Sequence, residues 1–275
     1  PYLGLSAYQE KHAAVFFGRE DESRAGIELL DRGSPGLILT LGASGSGKSS
    51  LVRAGIIPRL RHDPDRWIIV EPFRPQANPF LELADALQQT YRRYAPDSVK
   101  RLGSVEQLSE RMRVTSRCVS ADEIPASALS EDERVQRLIS QLEDLHQIPP
   151  DRAAGSFLNF LDWSIEDLRR ICGGSGYSAD GSVLLGMTIL AELAADLRKV
   201  CDRRGARILI VVDQFEELLG FDESSQIHNQ FLELLRQSIE CEGSPVTVLA
   251  TMRTDYLAEF QRNPVLRGVD FESLS

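Results

Sequence analysis

The sequence predicts an α/β fold, a three-layer sandwich with a central parallel sheet covered by helices on both faces. Three observations lead there. Residues 37–41, 67–73, 208–213 and 246–252 are apolar on successive positions, the pattern of strands buried from both sides. Between them lie stretches whose apolar residues recur every three or four positions, as on the buried stripe of a helix. The first strand run leads straight into a glycine-rich loop and then a helical stretch, as in a strand–loop–helix unit.

In chain order, residues 37–49 read LILTLGASGSGKS. Gly42, four residues, then Gly47, Lys48 and Ser49 is the spacing of a loop that grips the phosphates of a nucleotide. The glycines Gly42, Gly45 and Gly47 allow a tight backbone path. That path turns successive N–H groups inward around the phosphates, so Ala43, Ser44, Ser46 and Ser50 join the expected binding set. Lys48 is expected to reach the β- and γ-phosphates, and the Ser49 hydroxyl to ligate Mg²⁺. The next residues, SSLVRAGII, read as a helix whose N-terminus adds its dipole to the anion site. The expected fold thereby narrows to a P-loop NTPase sandwich with ATP or ADP and Mg²⁺ as ligands. GTP-binding P-loop proteins usually carry an NKxD box, and none is present.

A helix over residues 79–94 follows the second strand. The interval from residue 73 to residue 208 is far longer than the dozen or so residues a crossover needs. A mainly helical insertion is therefore expected between the second and third strands, over about residues 95–186. Within it, Ser130 and Glu133 form a capping box before Val135, Leu138, Leu142 and Leu145, and Pro149 and Pro150 end that helix. A second helix is expected over 156–171 and a flexible loop over 173–182. Basic residues over 91–117 and acidic ones over 121–150 read as solvated helix faces rather than a partner surface. Helices are then predicted over 187–204, stopped by Gly205, and over 225–241, with Phe231, Leu234 and Leu235 on its buried stripe. The closing VDFESLS reads as the start of another strand, so the 1–275 domain is expected to belong to a longer chain.

Residues 208–219, ILIVVDQFEELL, place a carboxylate at the C-terminal edge of a buried strand. Asp213 would there lie beside Ser49 and hold Mg²⁺ through water. Glu216 can orient or deprotonate the attacking water, with Glu217 as the competing candidate. The strand at 246–252 delivers Arg253 to the same sheet edge, suited to sensing a γ-phosphate. The alternative for Arg253 is a salt bridge with Asp255 or Glu216. Glu216, Arg253 and Lys48 are thus the expected catalytic set.

The composition narrows the partners. With 31 Lys+Arg against 41 Asp+Glu the net charge is −10, which argues against bulk electrostatic binding of nucleic acid. No apolar run approaches the ~20 residues of a membrane span, and the chain reads as cytoplasmic. The cysteines Cys118, Cys172, Cys201 and Cys241 and the histidines His12, His62, His146 and His228 show no metal-ligand spacing.

FFGRE at 16–20, GASGSGKSSLVRAGIIP at 42–58, VVDQFEEL at 211–218 and ATMRTDY at 250–256, in that order, closely resemble the novel STAND NTPase family, AAA-like signal-transduction ATPases. The resemblance implies that Phe17, Gly18 and Arg19 lie against the adenine; an N-terminal helix cap is the other reading of that stretch. It further implies a ligand-gated switch. ADP holds a closed monomer, and ATP exchange permits homo-oligomerisation that activates a fused effector, with sensor domains elsewhere in the chain. The family's lid and winged-helix region would follow Ser275. Two other functions remain open at this stage: a non-hydrolysing oligomerisation scaffold, which Gln214 directly after Asp213 keeps in view, and a P-loop phosphotransferase.

Overall fold

The structure, a computed structural model, describes residues 7–33, 36–115, 118–119, 183–220, 225–240 and 244–274. Its sheet contains β1 (Leu37–Gly42), β2 (Trp67–Ile69), β5 (Arg207–Val212), β6 (Val246–Arg253) and β7 (Phe271–Leu274). The order is β2-β5-β6-β1-β7 and every pairing is parallel. A separate antiparallel pair joins β3 (Cys118–Val119) to β4 (Val183–Leu184).

Among the described residues the α-helices are α1 (Glu20–Arg32), α2 (Lys48–Ser50), α3 (Ile57–Leu60), α4 (Pro79–Tyr94), α5 (Val105–Thr115), α6 (Leu185–Val200), α7 (Ser225–Glu240) and α8 (Leu257–Arg262). Neighbouring positions along the strands bury themselves on opposite faces. Leu37, Leu39, Ile208, Ile210 and Val212 join one core with residues of α4, α5, α6 and α7. Ile38, Leu209, Val211, Trp67 and Ile69 join a second core with Leu30 of α1, Leu51, Ile56 and Leu60. Two-sided burial is why the strand runs lack a polar alternation. Among the described residues no helix is long and apolar enough to cross a membrane.

Three expectations need adjustment. The second strand is shorter than residues 67–73: Pro72 has no N–H, and the Glu71 N–H goes to the Thr90 hydroxyl. The backbone still runs beside β5, with a bridge at Phe73 to Val212. The helix expected over 187–204 runs from Leu185 to Val200, because Asp202 at φ +53° breaks it before Gly205. The segment after Ser50 is helical, but Leu51–Ile56 is π-helical. Pro58 lacks the N–H that would bond the Ala54 carbonyl and its ring crowds that turn, so the helix widens just before it.

The expected insertion starts as part of the main core. Leu108 and Met112 of α5 are fully buried beside Leu193 and Leu197 of α6, and the Tyr91 hydroxyl of α4 donates to Asp196 at 2.8 Å. The helix with the Ser130–Glu133 capping box, the helix over 156–171 and the loop over 173–182 lie outside the described residues.

The π-helical turn passes very close to α1. A Cβ at Gly55 would stand 2.5 Å from Ser23 Oγ and 3.2 Å from Phe16 Cε1. Gly to Ala inside a helix ordinarily stabilises by about 0.5–1 kcal/mol. Here the sign reverses: Gly55→Ala should cost about 1–3 kcal/mol through overpacking. Urea denaturation checks this, and adding Ser23→Ala should recover part of the loss.

Candidate functional site

In a parallel sheet the C-terminal strand ends share one edge, and here that edge collects the chemistry. β1 opens into the glycine loop, β5 ends just before Asp213, and β6 lies between them carrying Thr251 and Arg253. Ser49, on the first turn after the loop, donates its hydroxyl proton to Asp213 Oδ1 at 2.6 Å. Residues 164 positions apart thus meet as the sequence predicts. A hydroxyl and an ionised carboxylate are hard oxygen donors of the type Mg²⁺ takes, and an Mg²⁺ that also binds phosphates needs only one or two protein oxygens. The pair fits that ion. Among the described residues no cluster of three or more His, Cys, Asp or Glu could hold a different metal.

The loop itself is shaped by its glycines. Gly45 and Gly47 have φ of +74° and +85°, the left-handed region where a Cβ is unfavourable. At Gly42 the constraint is space, since a Cβ would meet Ser46 Oγ at 2.6 Å. Ala43, Ser44, Gly45 and Ser46 form the exposed rim. The Lys48 ammonium donates to the carbonyls of Gly42 at 2.9 Å and Ala43 at 2.8 Å, arching over the loop mouth. Burial lowers its pKa, Glu216 opposes that shift and Arg253 adds to it, so these three charges share one site. Ser50 is buried, and its side-chain oxygen accepts the Tyr8 N–H at 3.0 Å, facing the N-terminal segment rather than the loop mouth.

The FGRE stretch proves to be both a helix cap and a loop neighbour. Arg19 is the N-cap of α1, and Nη1 donates to the Ser46 carbonyl at 3.0 Å. The Gly18 N–H bonds the Glu20 carboxylate, and Gly18 has φ +83°. Phe17 is 76 % exposed, the one large hydrophobic side chain so placed among the described residues.

The three acidic or basic candidates beyond Asp213 separate clearly. The chain leaves β5 through Gln214 at φ +59° and enters a 3₁₀ turn, Phe215–Leu219, that carries both glutamates. Glu217 accepts the Gln76 N–H at 3.0 Å, away from the loop. Glu216 lies toward Lys48 and the Arg253 N–H, 3.4 Å from the latter. Arg253 itself forms the alternative contact expected from sequence, an ion pair with Asp255, and lies over the Tyr256 ring at 5.4 Å.

Sequence reasoning missed three partners of Asp213. Thr251 donates to Oδ1 at 2.7 Å, while Arg53 Nη2 and Arg74 Nε approach Oδ2 at 3.2 and 3.7 Å. Arg53 stands four residues after Ser49 and so on the same helix face, a signal that was readable. Arg74 had none, because its proximity depends on β2 lying next to β5.

Asp213 is 2 % exposed. Burial works against its charge, but the bonds from Ser49 and Thr251 and the charges of Arg53 and Arg74 outweigh burial and hold the carboxyl below its ordinary 3.8. A depressed folded pKa stabilises the protein fully above the unfolded value and is lost as pH falls through the folded value. In buffer without nucleotide or metal, the stability gap between the parent and Asp213→Asn should therefore be widest near neutrality. It should close below about pH 3.8, which urea denaturation across that range checks.

No curated protein and no solved structure matches the chain significantly. A family match, by contrast, covers nearly its whole length. Residues 1–271, which include the glycine loop, Asp213 and Arg253, match the family described as Novel STAND NTPase 1, and the chain belongs to that family of nucleoside-triphosphatases.

Proposed function

We propose that this chain binds ATP with Mg²⁺ at the β1–α2 loop, hydrolyses it slowly, and uses the exchange of ADP for ATP to drive oligomerisation and activate a fused effector. The observation that carries the nucleotide part is the Ser49–Asp213 contact at 2.6 Å beside the glycine loop. Membership of a STAND-type family supports the switch and effector part of this reading. Mg²⁺ held by Ser49 and Asp213 would offset charge on the β- and γ-oxygens.

In this reading the backbone N–H groups from Gly42 to Ser50 cradle the phosphates, and Lys48 exchanges its carbonyl partners for β- and γ-oxygens. Arg19 braces the back of the loop through Ser46, and Phe17 and Gly18 flank the base. Glu216 positions the attacking water. Its orientation toward Lys48 and Arg253 favours it over Glu217, whose carboxylate is engaged with Gln76. Arg253 leaves Asp255 for the γ-phosphate, and the ion pair with Asp255 keeps its guanidinium at the sheet edge until then. Slow turnover fits Gln214 standing where a carboxylate directly after Asp213 would otherwise act.

Calorimetry with ATP and ADP tests the binding roles. Lys48→Ala should lose measurable affinity for both nucleotides while remaining folded, and unchanged ATP affinity would sink the assignment. Arg253→Ala should lose roughly 10- to 100-fold in ATP affinity, the worth of one charge-assisted contact, and keep its ADP affinity. Equal losses for both would mark Arg253 as a structural residue.

The hydrolytic role is read from phosphate release. Glu216→Gln should keep ATP bound and slow cleavage by roughly 10²- to 10⁴-fold. Glu217→Gln should leave the rate near the parent's; the reverse pattern would exchange the two assignments. A parent that binds ATP and releases no phosphate would instead be an oligomerisation scaffold.

A further inference from the structure

Asp213 does not end in one contact but in four. Oδ1 takes the hydroxyls of Ser49 and Thr251, and Oδ2 faces the guanidinium groups of Arg53 and Arg74. A carboxylate offers about four lone-pair directions; hydrogen bonds from Ser49, Thr251 and Arg53 take three, and the Arg74 guanidinium at 3.7 Å stands before the fourth as an ion-pair partner. A water bound to Mg²⁺ would take that remaining direction on Oδ2 and so meet the Arg74 guanidinium there.

The partners differ in how firmly they are held. Thr251 is buried, and its hydroxyl also accepts the Gln214 N–H at 3.0 Å. Ser49 can keep its proton on Asp213 while a lone pair turns to the metal. Arg53, with its side chain 19 % exposed, is steadied from behind by Gln9 Oε1 at 3.4 Å. Arg74 is the outlier: its contact is the longest at 3.7 Å, and its side chain is 48 % exposed.

Arg74 also has a place to go. It borders a cleft lined by Arg53, Glu71, Gln76, Glu82 and Asp85. There burial, with the negative charges of Asp85 and Glu217 added, raises the pKa of Glu82, so a cation entering the cleft would meet carboxylates disposed to receive it.

Resting on the Mg²⁺–nucleotide reading above, we propose that Arg74 is the exchangeable counter-ion of Asp213, a positioning residue that competes with metal-bound water for Oδ2 and swings toward Glu82 and Asp85 when Mg²⁺ binds. Arg53 stays as the permanent partner. The ion pair therefore sets how tightly the site takes its metal.

The test uses the parent, Arg74→Gln and Arg74→Lys, each saturated with fluorescently labelled ADP and titrated with Mg²⁺, alongside thermal unfolding in EDTA and in Mg²⁺–ADP. Losing a half-exposed competitor should tighten Mg²⁺ binding roughly two- to fivefold in Arg74→Gln, with Arg74→Lys closer to the parent. Arg74→Gln should melt below the parent in EDTA, and the deficit should shrink in Mg²⁺–ADP. Unchanged or weaker Mg²⁺ binding, or an equal melting deficit in both buffers, overturns the inference while leaving the nucleotide site intact. A parent whose ADP binding ignores Mg²⁺ overturns both, and that result is visible before any variant is made.

Discussion

A buried ionised carboxylate organises this molecule. Placing a charge the size of a carboxylate in a protein interior costs several kcal/mol unless donors replace the lost water. Asp213 is that charge, and its three donors and one further ion-pair partner all come from other elements: the loop helix, the π-helical turn and β6 donate, and Arg74 of the segment after β2 adds its charge. The strand order makes this possible. β6 between β1 and β5 puts Thr251 one position past the last rung that Val212 shares with Ala250, and β2 outside β5 brings Arg74 across from the other side.

The same linkage reaches the N-terminal segment. Arg53 contacts Gln9 as well as Asp213, Ser50 accepts from Tyr8, and Arg19 donates to the loop at Ser46. Residues 8 to 19 are therefore fastened to the back of the structure that is proposed to hold phosphate. Arg61 strengthens the attachment: its side chain, 12 % exposed, lies between Glu10 and Glu71, and Arg93 pairs with both acids. An exposed pair such as Arg24 with Asp21 contributes only tenths of a kcal/mol, whereas a partly shielded network is screened less by salt. Through Arg53, Gln9 is tied to Asp213.

Much of the fold was readable because its signals are local. Strands β1, β5 and β6 end within a residue of their predicted limits, and α4 matches its predicted span, since Asn78 caps it and the apolar stripe is regular. The misjudged boundaries have local causes of another kind. Pro72 cut the β2 ladder, and Asp202 took a left-handed conformation that its residue type permits but does not announce. At the site, Ser49 and Asp213 were legible through the glycine spacing and the terminal carboxylate. Arg74 was not, because nothing near residue 74 refers to Asp213.

By itself, then, the sequence determined the glycine loop, the two-sided strands, the carboxylate at the end of β5 and the arginine at the end of β6. Each is written in residue types within a dozen positions, where backbone conformation and side-chain burial impose their pattern directly. Only the tertiary structure decided which partners Asp213 keeps, that Glu217 turns to Gln76 while Glu216 faces Lys48, and that Arg253 pairs with Asp255. Those outcomes are competitions among several acids and cations brought to one sheet edge. Strand order and burial settle such competitions, and neither quantity exists until the chain has folded.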